Sequence, residues 1–133
     1  MGKKYWTFET FKSGLKTCWK DYQVVLMQYL WGLEEGEGAG SGKAWVAVNK
    51  VLKKRNKSIS RASIIFFLND MVDEGVLKFS DATGKGGHHR IYAPLFDETG
   101  FNEYLAKKII GKLMLEFPDE TKKVVFGVQK GSS

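Results

Sequence analysis

Residues 57–94 read KSISRASIIFFLNDMVDEGVLKFSDATGKGGHHRIYAP, and this stretch decides the fold. Ser60 is placed to cap a helix, because its hydroxyl can accept a first-turn amide hydrogen that has no partner within the helix. Ile64, Phe67, Leu68 and Met71 follow at i, i+3, i+4 and i+7, one face of an α-helix. Gly75 stands where such a helix needs a left-handed residue to end it. Residues 76–79 predict a strand, 81–87 a glycine-rich basic turn, and 88–92 the return strand. Helix, strand, basic loop, strand is the reading half of a winged helix.

The flanking sequence supplies the rest of that fold. Residues 1–20 form an aromatic-rich basic arm, in which Phe8, Phe11, Leu15 and Trp19 recur at helical spacing and predict a short amphipathic helix. Lys12, Lys16 and Lys20 on this arm offer the alternative of contacts to DNA or to a partner subunit. Asp21 can cap a helix through residue 33, with Tyr22, Val25, Leu26, Tyr29, Leu30 and Leu33 as its apolar face and Trp31 beside it. Residues 36–42, GEGAGSG, read as a flexible joint. Before Lys43 this joint suggests a phosphate loop, but Glu37 stands where the first glycine is required and Ala44 where a magnesium-binding hydroxyl is required. A second helix opens at Ser41 or Gly42 and runs to about Arg55, with Trp45, Val48, Val51 and Leu52 inward. With the helix starting at Ser60 it makes a helix-turn-helix.

After Pro94 a polar connector leads to a third amphipathic pattern, with Phe101, Leu105, Ile109 and Leu113 on one line and Tyr104 and Phe117 extending it. A lone helix cannot bury such a stripe, so it must lie across the domain or pair with its copy in a second subunit. Pro118 is expected to end it. The division is therefore an N-terminal helical arm (1–20), a winged-helix domain (21–95), a C-terminal dimerisation helix (96–118) and a polar tail (119–133). The fold class is mainly α with a small antiparallel β hairpin, a winged helix-turn-helix with an added N-terminal helix and a C-terminal helix.

Composition narrows the partners. Of 133 residues, 43% are hydrophobic and 14% aromatic, enough for a packed core and against a disordered chain. The formal net charge of +6 favours a polyanionic partner. Its distribution says more, because Lys43, Lys50, Lys53, Lys54, Arg55, Lys57 and Arg61 follow one another with no acid between Lys43 and Arg61. One cysteine, Cys18, cannot form an internal disulfide, which favours a reducing compartment. Cys18, His88 and His89 do not match familiar zinc spacing. No apolar run suits a signal peptide or a membrane span, so a cytoplasmic protein is expected, with no membrane partner. No Ser/His/Asp or Cys/His arrangement points to catalysis, so a binding protein rather than an enzyme is expected, with no cofactor and no metal. Of the adjacent histidines, one is expected to pack and the other, His88, to sit exposed near the wing, where it could meet a phosphate.

On a helix starting at Ser60, the outward arc carries Ala62, Ser63, Phe66, Asn69 and Asp73, flanked by Arg61. A recognition helix leads into the major groove with its N-terminal turns. Asn69 could therefore read adenine, Arg61 guanine or a phosphate, and Ala62 or Phe66 a thymine methyl. Lys43, Lys50, Lys57, Ser58, Ser60 and Ser63 would face the backbone, while Lys85 at the wing tip, His88 and Arg90 would lie by an adjacent groove. The alternative for the far half of the helix is a solvated surface formed by Asn69, Asp70, Asp73 and Glu74.

The runs SIIFFLNDMVDEGVLKF and GKGGHHRIYAPLF resemble the recognition helix and wing of the penicillinase-repressor family of winged-helix regulators. Trp31 and the amphipathic segment after Tyr92-Ala93-Pro94 are similar to that family as well, and the likeness spans roughly residues 21–117. The resemblance implies a homodimer, held by its C-terminal helices, that binds double-stranded DNA at a palindromic operator and represses transcription. Dimerisation would then use Phe101, Tyr104, Leu105, Ile109, Leu113 and Phe117. The sequence departs from the family where hydroxyl-bearing and basic residues are usual, with Ala62, Ile65, Phe66 and Asp70 in those places. That departure keeps open a second use of the fold, as a protein-interaction module that works through Phe66 and the wing. Nothing matches the cysteine-rich tail of the family's copper-responsive branch.

Overall fold

The computed structural model describes residues 7–84 and 87–129. Among them the chain forms α1 (Asp21–Trp31), α2 (Ser41–Lys53), α3 (Arg61–Glu74), β1 (Leu77–Gly84), β2 (Gly87–Pro94), α4 (Glu98–Glu116) and α5 (Pro118–Gln129). This is the mainly α, winged-helix-like fold with an antiparallel hairpin that the sequence predicts. The chain divides into two compact units, one through Asp97 and one from Glu98. No helix among the described residues is long and apolar enough to cross a membrane.

The core of the first unit is built by three helices and the base of the hairpin. Val24, Val25, Leu26, Met27 and Leu30 of α1 are all buried, so α1 is covered on more sides than the expected stripe of Tyr22, Val25, Leu26, Tyr29, Leu30 and Leu33. They join Ala44, Val48 and Leu52 of α2, Ile64, Phe67, Leu68 and Met71 of α3, and Val76, Leu77 and Tyr92 at the hairpin base. Burying each large aliphatic side chain contributes about 1.5–3 kcal/mol, so this cluster outweighs any single polar contact at the surface.

The ends of α3 follow the predicted chemistry. Ser60 Oγ accepts the Ser63 N–H at 3.1 Å, and Gly75 closes the helix with φ +90°. The turn from α2 to α3 is fastened by a side chain. Asn49 accepts the Ile59 N–H through Oδ1 at 2.8 Å and donates Nδ2 to the Ile59 carbonyl at 3.1 Å. Trp45, expected inward, lies partly exposed and donates its indole N–H to the same carbonyl at 2.9 Å.

Four further expectations change. The arm has no amphipathic helix among its described residues: a 3-10 turn covers Gly14–Thr17, Gly14 has φ +58°, and Phe8 and Phe11 are exposed. Cys18 and Trp19 nevertheless dock, with the Trp19 ring 5.8 Å from Phe67 edge-on and 6.2 Å from Trp31. The glycine joint is not a free linker. Ala39 and Tyr92 exchange both backbone hydrogen bonds at 2.9 Å, which stitches the joint to the edge of β2. Gly38 is required there, because a Cβ would lie 2.7 Å from Ile91 Cγ2 and from the Tyr92 carbonyl oxygen. The hairpin strands also extend beyond the predicted spans, β1 on to Gly84 and β2 from Gly87 to Pro94. Finally, α4 ends at Glu116, just before Pro118 as expected, but a further helix follows where only a polar tail was expected, and Pro118 opens it. Pro118 is the first residue of α5, a position that needs no N–H donor.

Candidate nucleic-acid interface

The residues proposed to meet DNA fall into three places. The first is the leading end of α3, where Ser60, Arg61 and Ala62 are exposed and Ser63 is half-buried. The cap turns Ser60 and Ser63 toward each other, with their hydroxyl oxygens 3.0 Å apart. Arg61 reaches back to the start of α2, with Nη2 3.5 Å from Ser41 Oγ and the guanidinium close over the Gly42 backbone. The N-cap of α2 is Gly40, which has no side chain to satisfy the first amides of that helix. Arg61, the Ser41 hydroxyl and exposed Lys43 thus surround an uncapped helix start, an arrangement suited to an anion.

The second place is the turn before α3. Lys50 at the end of α2, Lys57 and Ser58 are exposed there. Lys57 Nζ lies 3.5 Å from Asp21 Oδ2, and Asp21 also takes Arg55 Nη1 at 2.7 Å and Lys16 Nζ at 3.5 Å. The Arg55 hydrogen bond lowers the Asp21 carboxyl below its ordinary value of 3.8; partial burial opposes this, and the charges of Arg55, Lys16 and Lys57 reinforce it.

The third place is the wing. The register pairs Phe79 with Tyr92, Asp81 with Arg90 and Thr83 with His88, so Phe79, Arg90 and Tyr92 share a face. The Arg90 guanidinium carbon stands 3.8 Å from the Phe79 ring centroid. Its Nη1 donates to Asn69 Oδ1 at 2.9 Å, and the Tyr92 hydroxyl donates to the same oxygen at 2.7 Å. Burial moves the Tyr92 phenol up from its usual value, against the opposing effects of Arg90 and Asn69.

These contacts revise the reading of several side chains. Bidentate pairing to adenine needs an amide oxygen as acceptor, and that of Asn69 is already occupied by Arg90 and Tyr92. Asn69 is a clamp between α3 and the wing, and Arg90 is held at the base of that clamp with an exposed outer edge. Both His88 and His89 are exposed, so neither packs as one of them was expected to. Lys85 lies outside the described residues. Phe66 is 67% exposed, a large apolar surface on the outward face of α3. The Asn49 clip and the Asp21 cluster were not foreseen, because both depend on neighbours distant in sequence.

The acids Glu34, Glu35 and Glu37 sit elsewhere in the first unit, where with Trp31 and Phe96 they line a cavity of about 550 Å³. In the second unit the expected line of Phe101, Tyr104, Leu105, Ile109, Leu113 and Phe117 divides. Phe101 is buried, with its ring 5.9 Å from Tyr104, and Leu105 and Ile109 are half-buried. Leu113 and Phe117 are exposed and, with Ile110, Val124 and Val125, border an apolar groove of about 310 Å³ between α4 and α5. The groove exists because the helices bend at Pro118. Thr121 Oγ1 donates to the Leu113 carbonyl at 3.0 Å, eight residues back, whereas a straight helix would separate such residues by about 12 Å.

Among known protein families and among curated proteins, none matches this chain.

Proposed function

We propose that the protein binds double-stranded DNA as a transcriptional regulator, a homodimeric repressor that occludes a palindromic operator in the cytoplasm. The observation that carries this reading is the exposed, serine-capped leading end of α3, flanked by Arg61, Lys43 and the uncapped start of α2. Two such ends, about one duplex turn apart, would enter successive major grooves. The acid-free run from Lys43 to Arg61 supplies the phosphate contacts. The resemblance to penicillinase repressors supports the same mechanism. The exposed groove between α4 and α5 offers the apolar surface for pairing two copies.

The test is a titration of a mixed-sequence duplex at fixed salt. Arg61→Ala should weaken binding about tenfold, the effect of losing one charge-assisted contact of about 1.4 kcal/mol. Lys107→Ala, in α4, should leave it unchanged. Equal affinities for the two variants remove Arg61 from the interface.

Phe66 favours a second reading, a protein-interaction module, because an exposed aromatic suits an apolar interface. In that case Phe66→Ala abolishes a protein complex and leaves duplex affinity untouched.

A further inference from the structure

Asp21, the first residue of α1, gathers cations from separate parts of the chain. Lys16 comes from the N-terminal arm, while Arg55 and Lys57 come from the segment joining α2 to α3. Three positive charges against one negative leave two positive charges uncompensated at one point of the surface. The cationic side chains stay 46–59% exposed, so each keeps donors turned to solvent. Asp21 Oδ2 accepts no hydrogen bond and is faced by Lys57 at ion-pair distance. A cavity of about 320 Å³ opens beside the cluster, and the ammonium-bearing Lys20 and Lys57 and the Ser58 hydroxyl line it.

Exposed ion pairs add little to folding, and cations crowded on one carboxylate repel one another. Such a cluster gains most when an external anion joins it, and cations already held in place lose less freedom on binding. Its chemistry suits a phosphodiester backbone better than an acidic protein. Leu52 beside it is buried, and no large exposed apolar side chain lines the cavity. Protein interfaces centre on aromatic and apolar anchors, whereas DNA interfaces are polar and strongly positive.

We propose that Lys16, Arg55 and Lys57 form a second contact point for backbone phosphate, that Asp21 is its positioning residue, and that the N-terminal arm joins the DNA surface through Lys16. The proposal rests on the DNA-binding reading and extends it, through Lys16, to a part of the chain outside the helix-turn-helix. Because phosphate contacts are independent of sequence, a short mixed-sequence duplex is a sufficient probe.

The experiment measures duplex affinity of the full chain across a salt series for Lys16→Gln, Arg55→Gln, Lys57→Gln and Asp21→Asn, with thermal unfolding alongside. Each cation variant should flatten the slope of log affinity against log salt by about 1. Asp21→Asn should weaken binding several-fold although it removes a negative charge, and Asp21→Glu should restore it. Lys16→Gln alters an exposed side chain and keeps the test clear of folding defects. Unchanged slopes in all three cation variants, with Arg61→Ala still weakening binding, would overturn this contact point and leave the DNA-binding reading intact. Tighter binding by Asp21→Asn would overturn the positioning role, since the carboxylate would then merely compete with phosphate. A wild-type chain with no salt-dependent duplex binding would overturn both readings.

Discussion

At the residue scale, Asn69 and Asp21 show how a side chain's neighbours set its use. Periodicity puts Asn69 on the outward arc of α3, which is legible in sequence. Its occupation by Tyr92 and Arg90 is not, because those donors arrive from a strand more than twenty residues away. Asp21 was expected to cap α1 but is its first residue, after Lys20 at the cap position, and its place as the hub for Lys16, Arg55 and Lys57 was not legible. Its carboxyl is lowered in the folded state, so its stabilisation is fully present above the ordinary value of 3.8 and is lost as pH falls through the lowered value. Asp21→Asn should therefore cost about 1 kcal/mol at neutral pH. It should also lose less stability than the wild type on acidification below pH of about 4, as read by urea unfolding at several pH values. Parallel acid profiles for the two proteins would contradict this account of Asp21.

At the element scale, the caps and the periodicity of α3 were the reliable signals. Ser60 and Gly75 end α3 where the sequence placed them, since cap chemistry is local. The arm misled because Phe8, Phe11, Leu15 and Trp19 hold helical spacing across Gly14, whose positive φ interrupts any helix. Pro118 stops α4 as read, but the helix after it was not foreseen, although a proline that stops one helix is equally suited to start the next. The glycine joint misled most. Its composition reads as a flexible linker, whereas the Ala39–Tyr92 stitch uses the bare backbone for close approach. Gly38→Ala should thus destabilise the first unit by about 1–3 kcal/mol, the cost of overpacking against Ile91 and the Tyr92 carbonyl. Chemical denaturation checks it, and Gly111→Ala, in open space within α4, should not destabilise the protein. A neutral Gly38→Ala would show that the joint is loose.

At the scale of the whole molecule, the division after Asp97 separates a basic, winged-helix unit from a helical unit with an exposed apolar groove. The need of the C-terminal stripe for a cover was legible from periodicity, whereas the groove depends on the bend at Pro118 and was not. If a second copy covers it, the protein should sediment at twice the 15.0 kDa chain mass. Leu113→Asp, which places a charge in the groove, should then return it to the mass of one chain. A wild-type protein that sediments as a single chain removes the dimer. The central claim is that α3 presents its leading end to a duplex, and amide chemical-shift mapping during titration with a short DNA duplex tests it most directly. The account predicts shifts concentrated at Ser60, Arg61, Ala62 and Ser63 and at Ser41, Gly42 and Lys43. Shifts that avoid those amides, or none at saturating duplex, would contradict it.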